Sequence, residues 1–164
     1  MNSLYLWMKY IHALAGFLFL MGHGVAVYMS FRLKQEKDVE RIKSLLDLSA
    51  AAFPTTMLAL LALLIAGIIT GFMGQWWGTG WIWASLVILI GQSVWMNSVS
   101  KTYHGARKLL GMPYMEGNKP REAMAPQPAE TVLAHLSKTR PKELLYIGIG
   151  GFAIILWLMM FKPF

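Results

Sequence analysis

Cysteine does not occur in the chain, which excludes disulfides, thiolate metal sites and a cysteine nucleophile. Charge is scarce: 14 % of residues are Asp, Glu, Lys or Arg, against about 25 % in an ordinary soluble domain. Only eight residues are acidic, and all lie in polar connecting segments or, for Glu143, at the edge of one. That distribution argues against paired-carboxylate catalysis and a carboxylate proton relay. It also argues against a di-iron site, which needs several inward-facing Glu residues. No glycine-rich phosphate loop follows a strand, because Gly148, Gly150 and Gly151 fall inside an apolar run.

What is abundant is apolar. Of the 164 residues, 56 % are hydrophobic, and the length suits one compact unit. A membrane-spanning helix needs roughly 20 mostly apolar residues, and four stretches qualify: 4–31, 54–73, 81–100 and 144–161. Pro54 suits the first turn of the second span, where its missing N–H costs nothing. The first stretch is too long for the h-region of a cleavable signal and no basic n-region precedes it, so it reads as a retained span. The expected fold is therefore all-α, a four-transmembrane-helix bundle forming a single membrane domain with two cytoplasmic segments, 32–53 and 101–143.

Basic residues set the expected orientation. Arg32, Lys34, Lys37, Arg41 and Lys43 lie between spans one and two. Lys101, Arg107, Lys108, Lys119, Arg121, Lys138, Arg140 and Lys142 lie between spans three and four. The link 74–80 has none. The positive-inside rule puts both long segments in the cytoplasm and both termini outside, in the periplasm of a bacterial inner membrane. Tyr5, Trp7, Trp76, Trp77, Trp81, Trp83 and Trp157 gather toward the outer boundary, where amphipathic rings prefer to sit. The net charge of +7 then reads as a topology signal that touches anionic headgroups. No stacking module or recognition fold accompanies it, so nucleic acid is not an expected partner.

Within the cytoplasmic segments, Val39, Ile42, Leu45, Leu46 and Leu48 recur near helical spacing, predicting a helical connector over 34–49 that continues span one or lies at the interface. The region 111–141 holds Pro113, Pro120, Pro126, Pro128 and Pro141 and reads mostly as loop. A short helix is expected over 129–138. Gly67 with Gly71, and Gly148 with Gly151, form small-residue pairs that permit close helix packing or a contact with another copy or subunit.

Histidine is the remaining chemistry. His12 and His23 are eleven residues apart inside span one, which turns their rings roughly 20° from each other on one face and separates them by roughly 16 Å along the axis. Ionisable groups in a span usually face the bundle interior. Span three offers a polar stripe of Ser93, Asn97, Ser100 and His104, with Ser85 and Gln92 seven apart nearby. Asn97 is expected level with His23, and Ser85 level with His12. His104 lies deeper, about 10 Å below His23.

Three readings stay open. One or more of His12, His23 and His104 ligates a haem b iron, with Asn97 and Lys9 beside the cofactor, Lys9 reaching a propionate or snorkelling to the interface. Alternatively the histidines and the 12 methionines handle copper, with His104, Met112 and Met115 as a loose cluster. Or the histidines hold helices together, His23 on Asn97 and His12 on Ser85 or a carbonyl. His135, on the predicted short helix, reads as solvated.

The segment Trp7-Met8-Lys9-Tyr10-Ile11-His12, followed ten residues later by Gly22, resembles the start of the CopD and HemJ-like group of small bacterial membrane proteins. Tyr103-His104-Gly105 is similar to an element toward the end of a helix in that group. The resemblance covers about two thirds of the chain and implies a helical bundle, His12 as the shared histidine, and haem b or copper chemistry. Where the group carries a lysine in the third of these helices, this chain has Ser85, so porphyrinogen oxidation is not implied. The expected function is a cytochrome-like membrane oxidoreductase component in electron transfer, working with a quinone or a partner complex. The alternative is a non-catalytic accessory subunit of a larger membrane enzyme.

Overall fold

The computed structural model describes residues 3–117 and 119–164. Four helices in it are long and apolar enough to cross a membrane: α1 (Ser3–Gln35), α2 (Val39–Met73), α3 (Gly80–Leu109) and α5 (Pro141–Phe161). Between α3 and α5 lie a small antiparallel hairpin, β1 (Tyr114–Glu116) with β2 (Lys119–Arg121), and the short helix α4 (Ala129–Ser137). Each long helix is apolar around most of its circumference. Leu58, Phe72, Val87, Val94, Tyr146 and Met160 are all exposed, the outward face expected of a helix whose solvent is lipid.

The helices run longer than hydropathy alone indicates. The amphipathic segment 34–49 is divided: Lys34 and Gln35 end α1, and the part from Val39 onward belongs to α2. The break falls at Glu36–Asp38, where the Asp38 carboxylate caps α2 by accepting the backbone N–H groups of Glu40 and Arg41. Such a cap satisfies donors that a new helix otherwise leaves unpaired. Pro54 therefore lies in the interior of α2 and not in its first turn. Prolines are tolerated there in membrane helices because neighbouring helices and Ser or Thr side chains re-satisfy the freed backbone groups. Nearby, Thr56 donates to the Ala52 carbonyl at 3.0 Å and rests on Gly22 of α1. α3 likewise continues to Leu109, so His104 lies within it.

α1 and α2 pack closely as one antiparallel hairpin, and α3 and α5 as a second. Contact between the hairpins runs through the first residues of α5, where Leu144–Ile149 forms a π-helical segment, and through the packing of α1 and α2 on α3 toward the basic end. One end of the bundle is aromatic. The 3₁₀ turn Trp76–Gly78 links α2 to α3, and Trp76 packs against Tyr5 and Trp81. The chain end returns to the same place. The Trp81 N–H donates to the Phe164 carbonyl at 3.2 Å, and the Lys162 ammonium sits 4.0 Å from the Trp76 ring centre.

The opposite end carries the basic segments and a compact apolar cap. Leu33, Ile42, Leu46, Ala106, Leu110, Met112, Val132 and Leu136 form one buried cluster. The predicted short helix thus exists as α4, with Val132 and Leu136 as its buried face. Arg107 fastens this cap, donating to Asp47 at 2.9 Å and to the Pro113 carbonyl at 2.8 Å. Lys34 donates to the Thr139 carbonyl at 2.7 Å.

Candidate functional site

Three of the four histidines adopt the same arrangement. Each ring rests on a glycine of a neighbouring helix and faces a carbonyl three or four residues earlier on that helix. For His12, the seat is Gly67 of α2, where a Cβ would stand 2.8 Å from Cε1. Its Nδ1 lies 2.9 Å from the Leu63 carbonyl. A carbonyl only accepts, so Nδ1 carries the proton, and in the neutral ring the lone pair is on Nε2. His23 is buried on Gly148, within the π-helical segment of α5, with the Leu144 carbonyl beside the ring. Phe19 stacks on it with centroids 6.4 Å apart. His135 rests on Gly105, and its Nε2 donates to the Thr102 carbonyl at 2.8 Å, so it docks α4 and is not merely solvated.

The physical reason for the pattern is common to all three. A helix carbonyl has a second lone pair, and glycine exposes it by removing the side chain that would cover it. An imidazole N–H is then satisfied inside a low-dielectric interior. The glycine pairs thus serve side chains: Gly67 and Gly71 lie under His12 and Trp77 of the same chain, and Gly148 and Gly151 under His23 and Gln92.

His12 and His23 both turn toward neighbouring helices, but different ones: His12 meets α2 and His23 meets α5. His104 is half-buried near the basic end, with its Nδ1 enclosed and unpartnered among the described residues. These three rings are not brought together, and no group of three His, Asp or Glu able to hold a metal occurs among the described residues. Asn97 is exposed and does not reach His23. Ser93 and Ser100, from the same stripe, donate to carbonyls of their own helix. The face of α3 that turns inward is instead Ser85, Gln92, Val99 and Ala106, a strict seven-residue repeat. Ser85 donates to the Trp81 carbonyl at 2.8 Å and not to His12. Lys9, one turn from His12 toward the aromatic end, is exposed with its ammonium 5.5 Å from the Tyr5 ring centre. Met112 is turned into the apolar cap, which makes it a packing residue rather than a partner for His104.

The fit of each histidine to a haem iron differs. His12 has the arrangement typical of an iron-ligating imidazole, one nitrogen donating to a carbonyl and the other left as the ligand atom. The Nε2 of His23 occupies the space that a Cβ on Gly148 would take. Gln92, noted in the sequence only as a neighbour of the polar stripe, is buried, rests on Gly151, and its Oε1 has no hydrogen-bond partner among the described residues. The chain matches no family model, no curated protein and no solved structure.

Proposed function

We propose that this is a haem b-binding protein of the bacterial inner membrane that takes part in electron transfer, with His12 as the axial ligand through Nε2. Both termini and the tryptophan-rich link face the periplasm, and the basic cap faces the cytoplasm. The observation that carries the reading is the His12 Nδ1 donation to the Leu63 carbonyl at 2.9 Å. It fixes tautomer and ring plane before any metal arrives, and it raises the basicity of the free nitrogen. Haem, when bound, supplies one-electron redox chemistry. The protein's part is to hold the ring, keep water out of a bundle whose walls are Leu, Ile and Phe, and offer Lys9 toward the aromatic interface as a counter-charge for an anionic propionate. A quinone or a membrane partner complex is the proposed electron-exchange partner.

The test is an oxidised and a dithionite-reduced absorption spectrum of the protein purified in detergent from haem-replete cells. A Soret band and an α band that His12→Ala removes and His104→Ala leaves support the reading. A colourless protein, or bands untouched by His12→Ala, overturns it.

A second reading is favoured by the repeated seating of His12, His23 and His135 on glycines. In it the histidines are interhelical fasteners, and the protein is a non-catalytic accessory subunit of a larger membrane enzyme. It predicts a colourless chain that co-purifies with that enzyme in mild detergent, and recovery of the chain alone counts against it. Copper handling draws no support from the packing of Met112, and stoichiometric metal analysis of the purified protein tests it.

A further inference from the structure

We propose that the region where α1 ends against the start of α5 is a binding surface for anionic phospholipid headgroups, formed by Arg32, Lys34, Lys138 and Lys142. The end of α1 packs on Pro141–Glu143, and the Lys34 ammonium donates to the Thr139 carbonyl at 2.7 Å. That contact brings the basic end of α1 beside Lys138, Arg140 and Lys142, which flank Thr139 in the chain. An ammonium has three N–H donors, so Lys34 keeps two for a phosphate oxygen.

Charge is divided unevenly over this end of the bundle. Arg41 pairs with Asp38, Lys43 with Glu40, Arg107 with Asp47 and Arg121 with Glu116, which leaves the side built from α2 and the hairpin largely neutralised. Where α1 meets α5 the balance is different. Arg32, Lys34, Lys138 and Lys142 are exposed and form no ion pair among the described residues. Of the carboxylates nearest in sequence, Glu143 is bonded to Arg140, and Glu36 is turned back on the N–H groups of Lys37 and Asp38.

The surface also lies at the depth of headgroups. Phe31 packs with Leu144 and Leu145, so Arg32 and Lys142 stand where the apolar runs of their helices stop. Tyr28 and Tyr146 are exposed and lie four residues farther into those runs, each close to the helix face of its cation. Tyrosine on an exposed face of a spanning helix takes the interfacial depth, and a cation one turn beyond it meets phosphate. Each Lys or Arg near an anionic leaflet strengthens the attraction about fivefold, and salt confines the effect to about 8 Å. Position within the cap therefore matters as well as total charge. The surface does not involve His12, so this proposal and the haem reading fail separately.

The experiment uses the full chain reconstituted in phosphatidylcholine vesicles, with trace spin-labelled phosphatidylglycerol or phosphatidylcholine as the probe. Electron paramagnetic resonance reads the fraction of label slowed at the protein surface. Expected is a several-fold preference for phosphatidylglycerol, nearly abolished in the triple variant Arg32→Gln, Lys138→Gln, Lys142→Gln. A second triple variant, Arg41→Gln, Lys43→Gln, Arg121→Gln, removes the same charge from paired positions and should keep the preference. Inorganic phosphate at constant ionic strength should not displace the label. No preference in the unsubstituted protein overturns the proposal. So does a preference that survives the first variant, equal loss in both variants, or displacement by inorganic phosphate.

Discussion

Gly67→Ala introduces one methyl group into space that the His12 ring occupies. The new Cβ would stand 2.8 Å from Cε1 and 3.0 Å from Nδ1. The ring cannot yield by a small rotation, because its Nδ1 is bonded to the Leu63 carbonyl. Overpacking of this kind costs about 1–3 kcal/mol. Displacing the ring also forfeits an interhelical hydrogen bond, about 0.6 kcal/mol on average in a membrane bundle. Alanine is the better residue in a helix interior by about 0.5–1 kcal/mol, which offsets part of the loss. The expected net destabilisation is about 1–3 kcal/mol, from the overpacking and hydrogen-bond figures together. Gly24 supplies the reference, since a Cβ there meets nothing within 4 Å and Gly24→Ala retains only the helix-propensity gain. Reversible unfolding in mixed detergent micelles, with both variants measured together, reads the difference. A Gly67→Ala protein as stable as Gly24→Ala would refute the assignment of Gly67 as the seat of His12.

Lys162→Ala removes the ammonium over Trp76, an interaction of about 0.5–1 kcal/mol at an exposed site. Tryptophan emission should then become more accessible to acrylamide, and unchanged quenching would show that the chain end is not clasped. His135→Ala should raise hydrogen exchange across 129–137 about two- to tenfold, the equivalent of one net hydrogen bond, while exchange in α2 stays as it was. Uniform change in both helices would count against a local dock. The Glu36 carboxylate accepts the backbone N–H groups of Asp38 and Lys37, which hold its pKa below the usual glutamate value. Its folded value is therefore depressed, so its stabilisation of the α1–α2 turn is present at neutral pH and is lost as pH falls through that lowered value. A carbon-13 titration of Glu36 that reports an ordinary or raised value would contradict this.

Hydropathy located all four spans because a bilayer demands long apolar runs and little else competes with that signal. Helices run on beyond the apolar runs at the basic end for a definite reason: they continue wherever a cap or an amphipathic face supports them. Asp38 and the Val39–Leu46 face did so for α2, which put Pro54 inside the helix. Polarity chose the wrong stripe on α3. Ser93, Asn97 and Ser100 cluster in sequence, but two of them satisfy themselves on their own backbone. The buried Ser85 and Gln92 continue as Val99 and Ala106 at the same seven-residue interval. That repeat was present in the sequence and was the better signal. The turn of His12 and His23 toward neighbouring helices followed from their place inside a span. The glycine seats did not, since small-residue pairs in a span also serve bare helix contacts. Neither the π-helical start of α5 nor the hairpin of β1 and β2 leaves a local pattern of its own.

The reading of His12 as an iron ligand rests on a lone pair left on Nε2 by the donation of Nδ1 to α2. It is tested most directly by resonance Raman and absorption spectra of the purified protein, compared with His12→Ala and with His12→Gly supplied with imidazole. The account predicts an iron–imidazole signature that vanishes in His12→Ala and returns with added imidazole. A haem signature indifferent to all three changes, or none in the unsubstituted protein, would contradict it.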